Sequence, residues 1–392
     1  MTVATKRRTR AAAATAPGPD MSHAPCALVL QGGGALGAYQ AGAYSAMAEA
    51  DVLPKWVAGV SIGAINSALI AGNAPEKRVD RLREFWELVS SQPAQQLPNW
   101  WGSRIFQNQI SAQAAMFTGI PGFFKPRQDL ALLLGNNAPV LSYYDTSPLK
   151  DTLERLVDFK RLNAERDQLR FMVGAVDVCS GESRYFSNSD PKHPITAAHV
   201  MASGALPPGF APVMVEGRHY WDGGVVSNTP LTEVLSRRDR SEPWVVYQVD
   251  LFNARGPLPT TISGVTERQK DIMYASRTDL NTQLATQTQP LMEALARLLD
   301  RLPANLQKDE DALLLRKRLE EAPVQIRQLI YRDRASDLDS KDYEFSRASM
   351  IEHWDAGHAD MRRTISHAKH LAKPPPVGVT ECEPATAHVA AD

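Results

Sequence analysis

The residues best suited to chemistry lie between positions 25 and 72, at two glycine-rich turns. The second turn, Gly59-Val-Ser-Ile-Gly, has the spacing G-x-S-x-G and sets Ser61 between a short apolar run and a run of small and aliphatic residues. That is the pattern of a nucleophile elbow. A sharp strand-to-helix turn holds the hydroxyl exposed, and glycines two residues to either side are needed because strand and helix come too close for side chains. Strain at such a turn also keeps the hydroxyl out of local backbone hydrogen bonds. The first turn carries three consecutive glycines and the spacing G-x-G-x-x-G at Gly32, Gly34 and Gly37. Glycine permits positive backbone angles and leaves no Cβ between a ligand and the backbone. Such a turn aims unpaired N–H groups out of a helix start, where developing negative charge is favoured. The same spacing is also a dinucleotide-binding fingerprint, which requires an acidic residue about twenty positions on, closing a second strand. Glu49 and Asp51 fall in that interval but precede the second strand and do not end it.

Positioning these turns takes two strand-turn-helix units. Residues 27–30 read as a buried strand, and Leu36, Tyr39, Gln40, Ala43 and Met47 recur at helical spacing behind the glycines. Residues 56–60 are a second strand and 62–71 a second helix. Further along, Val79, Leu82, Phe85, Trp86 and Val89 make an apolar helical stripe, and Ser147-Pro148 opens a helix. Residues 169–178 read as a strand that turns at Ser180-Gly-Glu into a hairpin, and 244–251 as another buried strand. Strands alternating with helices imply an α/β fold, a mostly parallel sheet with helices on both faces.

Downstream stand the run Ala202-Ser-Gly-Ala-Leu-Pro-Pro-Gly-Phe-Ala-Pro and the motif Tyr220-Trp-Asp-Gly-Gly-Val-Val-Ser-Asn-Thr-Pro. With these, residues 25–255 closely resemble the patatin-like phospholipase family. Its three signatures, a glycine-rich oxyanion loop, a G-x-S-x-G turn and an aspartate in D-G-G, occur here in the family's order. The resemblance implies the patatin-like three-layer fold and a serine lipid acyl hydrolase working through an acyl-enzyme. It makes Ser61 the nucleophile and Asp222 the base, with no histidine between them. The oxyanion would be held by the amides of Gly32, Gly33 and Gly34 with that of Ile62, while Gly37, Gly59, Gly63, Gly223 and Gly224 shape the turns. Leu36 stands where many members carry Arg or Lys; amides that hold the oxyanion make that cation unnecessary. An ordinary aspartate is a poor base for a hydroxyl, so burial would have to strengthen Asp222. No metal or cofactor is required. Two other readings compete: an α/β-hydrolase triad using His353 or His358, and a non-catalytic nucleotide-binding or scaffold protein built on the same turns.

Composition sets the bounds. A chain of 392 residues with 43% hydrophobic content suggests one large domain with an added segment. The divisions expected are a disordered tail over 1–24, a hydrolase domain over 25–255, a mainly helical extension over 256–372 and a second disordered tail over 373–392. A net charge of −1 gives no overall field to recruit nucleic acid or an anionic membrane. The basic cluster Lys6, Arg7, Arg8 and Arg10 reads as part of the first tail. Three scattered cysteines suit a reducing compartment and a cytoplasmic protein, with transient contact at a membrane surface left open and the oligomeric state unspecified. The expected partner is a lipid or ester substrate. Residues 91–146 interleave aromatics with Gly and Pro, which predicts no regular element; they read either as an apolar lid touching lipid or as a packed loop. In the extension, 324–331 reads as a late strand. His358 lies on the helical stripe Ile351, Trp354, Met361, Ile365, which suits a satisfied core histidine.

Overall fold

The structure, a computed structural model, describes residues 19–92, 104–127, 140–332, 341–368 and 378–382. The basic cluster at 6–10, the Trp100-Trp101 pair and the prolines from Pro374 lie outside them. The strands are β1 (Cys26–Leu30), β2 (Trp56–Gly59), β3 (Lys125–Pro126), β4 (Tyr144–Asp145), β5 (Arg170–Asp177), β6 (Ser183–Ser187), β7 (Val213–Val215), β8 (Arg218–Asp222), β9 (Trp244–Asp250), β10 (Val324–Ile330) and β11 (Val379–Cys382). Among the described residues, nine of them form one sheet in the order β11-β10-β9-β1-β2-β5-β8-β7, with β6 on β5; β3 and β4 pair separately.

The centre, from β10 through β9, β1 and β2 to β5, is parallel. Strands buried on both faces read as near-continuous apolar runs; β1 and β9 are buried along their whole length, and the polar exceptions in β9, Gln248 and Asp250, hydrogen-bond each other. Alternation splits β1 between two cores. Leu28 and Leu30 pack with the helices Gly37–Glu49, Ile62–Ala71 and Arg78–Val89. Ala27 and Val29 face the other way, onto Leu231 and Val234 of the helix Leu231–Arg237. This is the mostly parallel sheet with helices on both faces that the sequence predicts.

Register places the chemistry. In the β1–β2 pair Leu30 lies opposite Gly59, so the loops that follow both strands leave the sheet side by side. Ligands in such sheets bind at the carboxyl ends of the strands. Along β5 a second convergence occurs. β2 runs parallel to its first half and ends with Gly59 opposite Val173, while β8 runs antiparallel to its second half and ends with Asp222 opposite Ala175. Since β6 occupies the other edge of β5 over the same residues, β2 and β8 share one edge and meet head-on at Gly174. A serine after one strand and an aspartate ending the other are thereby brought together.

The region after residue 255 is helical, with Ile262–Gln287, Gln289–Leu299, Glu310–Leu319 and Arg347–Ala368. It also contributes to the sheet. The late strand appears as β10 on β9, and β11 forms within the stretch read as a C-terminal tail, which corrects that expectation for residues 379–382. The helix Arg347–Ala368 crosses Gly37–Glu49 at two glycines. A Cβ on Gly42 would strike the Trp354 carbonyl, and one on Gly357 would strike that of Tyr39. A further correction concerns residues 91–146, for which no regular element is predicted. Within them Arg104–Thr118 is a helix, and Phe123 and Phe124 are buried against Phe210.

Candidate active site

Ser61 stands between β2 and the helix Ile62–Ala71 at φ 56°, ψ −125°, a region that non-glycine residues rarely occupy. Close backbone approach explains its flanking glycines. A Cβ on Gly59 would meet the Gly63 carbonyl, and one on Gly63 the Leu30 carbonyl. The surroundings hold the elbow in this shape. Its amide donates to the Ser203 carbonyl at 3.0 Å and to the Ser203 hydroxyl at 3.2 Å, and that hydroxyl donates to the Gly174 carbonyl at 2.6 Å. Ser203 thus fastens the elbow to the place where β2 and β8 meet. Beneath it, Asn66 donates to the Gly37 carbonyl and to Gln40 Oε1, each at 3.0 Å, and accepts from Trp86 Nε1. The two glycine turns are joined through this buried network.

Asp222 ends β8 with 1% of its surface exposed. Its Oδ1 accepts the Gly224 N–H at 2.7 Å. Its Oδ2 accepts no aligned hydrogen bond among the described residues, yet the Ser61 hydroxyl is near enough to favour the charged carboxylate. Burial raises the Asp222 carboxyl from 3.8 to about 7, and the Gly224 and Ser61 hydrogen bonds oppose that rise. The strengthening that the sequence reading demands of this carboxyl is therefore met by burial.

The glycine loop divides in its hydrogen bonding. The Gly32 amide does not conform to the expected donor set, because it donates to the Asn228 carbonyl at 3.2 Å while Asn228 Nδ2 returns a bond to the Gly32 carbonyl at 2.9 Å. Gly32 is the anchored end of the loop. The amides of Gly33, Gly34 and Ile62 donate to no acceptor among the described residues, and all three residues line the cavity beside Ser61. Gly34 adopts φ +54°, and a Cβ there would meet the Asp342 carbonyl. Gly37 is packed under Ile62 and Trp86, and Gly223 against Gly174.

Ser61 and Asp222 open into a cavity of about 290 Å³ whose walls are largely aromatic and aliphatic, among them Phe123, Phe124, Leu206, Phe210 and Phe252. Its far wall comes from the C-terminal extension, with Tyr274, Asp342, Tyr343 and Phe345. Asp342 also accepts the Ala35 amide through its carbonyl, at 2.9 Å, and its carboxylate pairs with Lys270 at 2.8 Å. Ser203 and Asn228 sit inside quoted motifs, so their positions were visible but their clamping roles were not. Tyr274 and Asp342 carry no sequence signal of a place in the site. The two triad histidines stand elsewhere. His353 is buried against Tyr331, and His358 Nε2 pairs with Glu49 at 2.8 Å; neither lines the cavity. Among the described residues no group of His, Cys, Asp and Glu is arranged to hold a metal ion.

Residues 28–235 match the family model described as patatin-like phospholipase, and residues 272–377 match a second one described as patatin phospholipase. No curated protein matches the chain in sequence. Among solved structures, VipD from Legionella pneumophila is 14% identical over 91% of this chain and 75% of its own, at a TM-score of 0.36. The type III effector ExoU is 15% identical over 90% of this chain at a TM-score of 0.32, and this chain spans 54% of it. Human GIVD cytosolic phospholipase A2 is 10% identical, covering 89% of this chain and 63% of its own, at a TM-score of 0.36. These are distant likenesses; the assignment rests on the two sequence models.

Proposed function

Since the chain belongs to the patatin-like phospholipase family, a family of lipid ester hydrolases, we propose that it hydrolyses a lipid ester with a Ser61–Asp222 dyad through an acyl-enzyme. The observation that carries this reading is the buried Asp222 carboxyl, with one oxygen held by the Gly224 N–H and the Ser61 hydroxyl near enough to favour its charged form. At neutral pH a base whose pKa is about 7 combines a useful charged fraction with a useful driving force. Ser61 Oγ attacks the ester carbonyl as its proton passes to Asp222. The carbonyl oxygen becomes an oxyanion facing the Gly33, Gly34 and Ile62 amides, where removing one such donor costs roughly 3 kcal/mol of barrier. Collapse breaks the ester bond, and the leaving alkoxide takes the proton from Asp222. Water then gives its proton to Asp222, attacks the acyl-serine and releases the fatty acid, with Ser61 reprotonated.

The apolar cavity suits an acyl chain. At its mouth Met116 and Tyr143 are exposed and line the cavity, and Phe117 beside them is 78% exposed. That rim supports contact with a lipid surface during turnover. Among the described residues no helix is long and apolar enough to cross a membrane. The test is the purified protein against a panel of simple esters, glycerides and phospholipids. Release of fatty acid that disappears in Ser61→Ala is the expected result; equal release by the variant would overturn the reading.

A further inference from the structure

We propose that Arg277, on the helix Ile262–Gln287, is a positioning residue that holds the Asp222 carboxyl in register through the turn that follows it. The proposal rests on the dyad reading above. After Asp222 the chain makes a single tight helical turn, Gly223–Val225, whose last carbonyls have no partner within so short a turn. Arg277 Nη1 gathers them, donating to the Val225 carbonyl at 2.9 Å, to Val226 at 3.3 Å and to Gly224 at 3.4 Å. No carboxylate pairs with this guanidinium among the described residues, so its charge is directed at the carbonyl dipoles alone. The same peptide turn supplies the Gly224 N–H that binds Asp222 Oδ1. Three residues on, it supplies the Asn228 clamp on Gly32. A second tie runs beside the first. Thr278, the next residue of the helix, meets the Thr229 hydroxyl at 2.9 Å and accepts from Gln31 Nε2 at 2.8 Å. The extension thus grips the acid's turn and the glycine loop from adjacent positions of one helix, and Arg277 is its charged contact.

Loss of the guanidinium frees the turn and weakens the Gly224 bond to Oδ1. That bond favours the charged carboxylate, so its loss moves the Asp222 titration upward and the acidic limb of the rate profile to higher pH. The other groups facing Asp222 are the Ser61 hydroxyl from the elbow and the Tyr274 phenol from the same helix as Arg277; Asp342, at the cavity wall, is neutralised by Lys270. Arg277 also acts on the Tyr274 phenol, but burial holds that phenol above its usual 10, so it stays neutral from pH 5 to 9 with or without the guanidinium.

The experiment is a set of kcat and KM profiles from pH 5 to 9 for the full chain, Arg277→Met, Arg277→Lys and Asp222→Asn, with thermal unfolding of each. Arg277→Met is expected to lose about 10- to 100-fold in kcat with KM within about threefold. Its acidic limb should rise by on the order of one pH unit, and Arg277→Lys should recover part of both effects. Wild-type turnover and limb in Arg277→Met would overturn the proposal, as would a loss of kcat that follows lost folded protein with the limb unmoved. Wild-type turnover in Asp222→Asn would instead sink the dyad and this role with it.

Discussion

Replacing Asp222 with Asn should make the protein more stable at neutral pH while abolishing its activity. Asn is nearly the same shape and keeps an oxygen for the Gly224 N–H, but it has no charge to bury. The wild-type carboxyl is raised in the folded chain from 3.8 to about 7 by burial. Its folded pKa exceeds its unfolded one, so the fold favours the protonated form. The corresponding stability is fully present below about pH 4, declines as pH rises, and is gone above about 7. At 1.36 kcal/mol per pH unit that interval amounts to about 4 kcal/mol, an upper bound because the charged carboxylate can draw on relaxation and water. Asp250 and Glu267 are also raised to about 7 by burial, but both remain in the variant and cancel in the comparison. Urea unfolding of both proteins from pH 4.5 to 8.5 measures the difference. It should be about 1 kcal/mol at pH 4.5, grow with pH and level off above about 7, the variant being the more stable. A variant no more stable than wild type at pH 8, or a gain independent of pH, would refute the reasoning.

Gly34→Ala places a Cβ against the Asp342 carbonyl and strains a backbone at φ +54°, so the glycine loop proposed to hold the oxyanion must shift. We expect kcat to fall about a hundredfold with an unchanged circular-dichroism spectrum, as measured by ester turnover. Gly357→Val drives a branched side chain into the Tyr39 carbonyl where two helices cross; chemical unfolding should report a loss of at least about 3 kcal/mol, and a smaller loss would mean that the crossing can open.

The strands and turns that carry the chemistry were legible because their signals are local. An apolar run such as Cys26–Leu30 reads as buried, and Gly59 is required by the Gly63 carbonyl four residues on, although Gly63 itself is required by the Leu30 carbonyl of the neighbouring strand. The nearness of Ser61 to Asp222 was visible only by resemblance, because it depends on two strands ending against each other on one edge of β5. The Gly32 amide was misread for a related reason: its acceptor, the Asn228 carbonyl, is 196 positions away in sequence. The crossing of the helix Arg347–Ala368 over Gly37–Glu49 likewise rests on Gly42 and Gly357, two glycines that lie inside helical patterns without marking any turn. Nor could the cavity wall from the extension be read, since Tyr274 and Asp342 lie in charged, helical or irregular sequence with no chemical spacing.

The central claim is that Asp222 activates the Ser61 hydroxyl. A fluorophosphonate that reacts with activated serines tests it most directly, with the labelled residue identified by peptide mapping and the rate followed from pH 5 to 9. The account predicts a single adduct at Ser61, a rate that rises about tenfold per pH unit below about 7 and then levels, and a loss of at least about a hundredfold in Asp222→Asn. Labelling of Asp222→Asn at the wild-type rate, or an adduct on another residue, would contradict it.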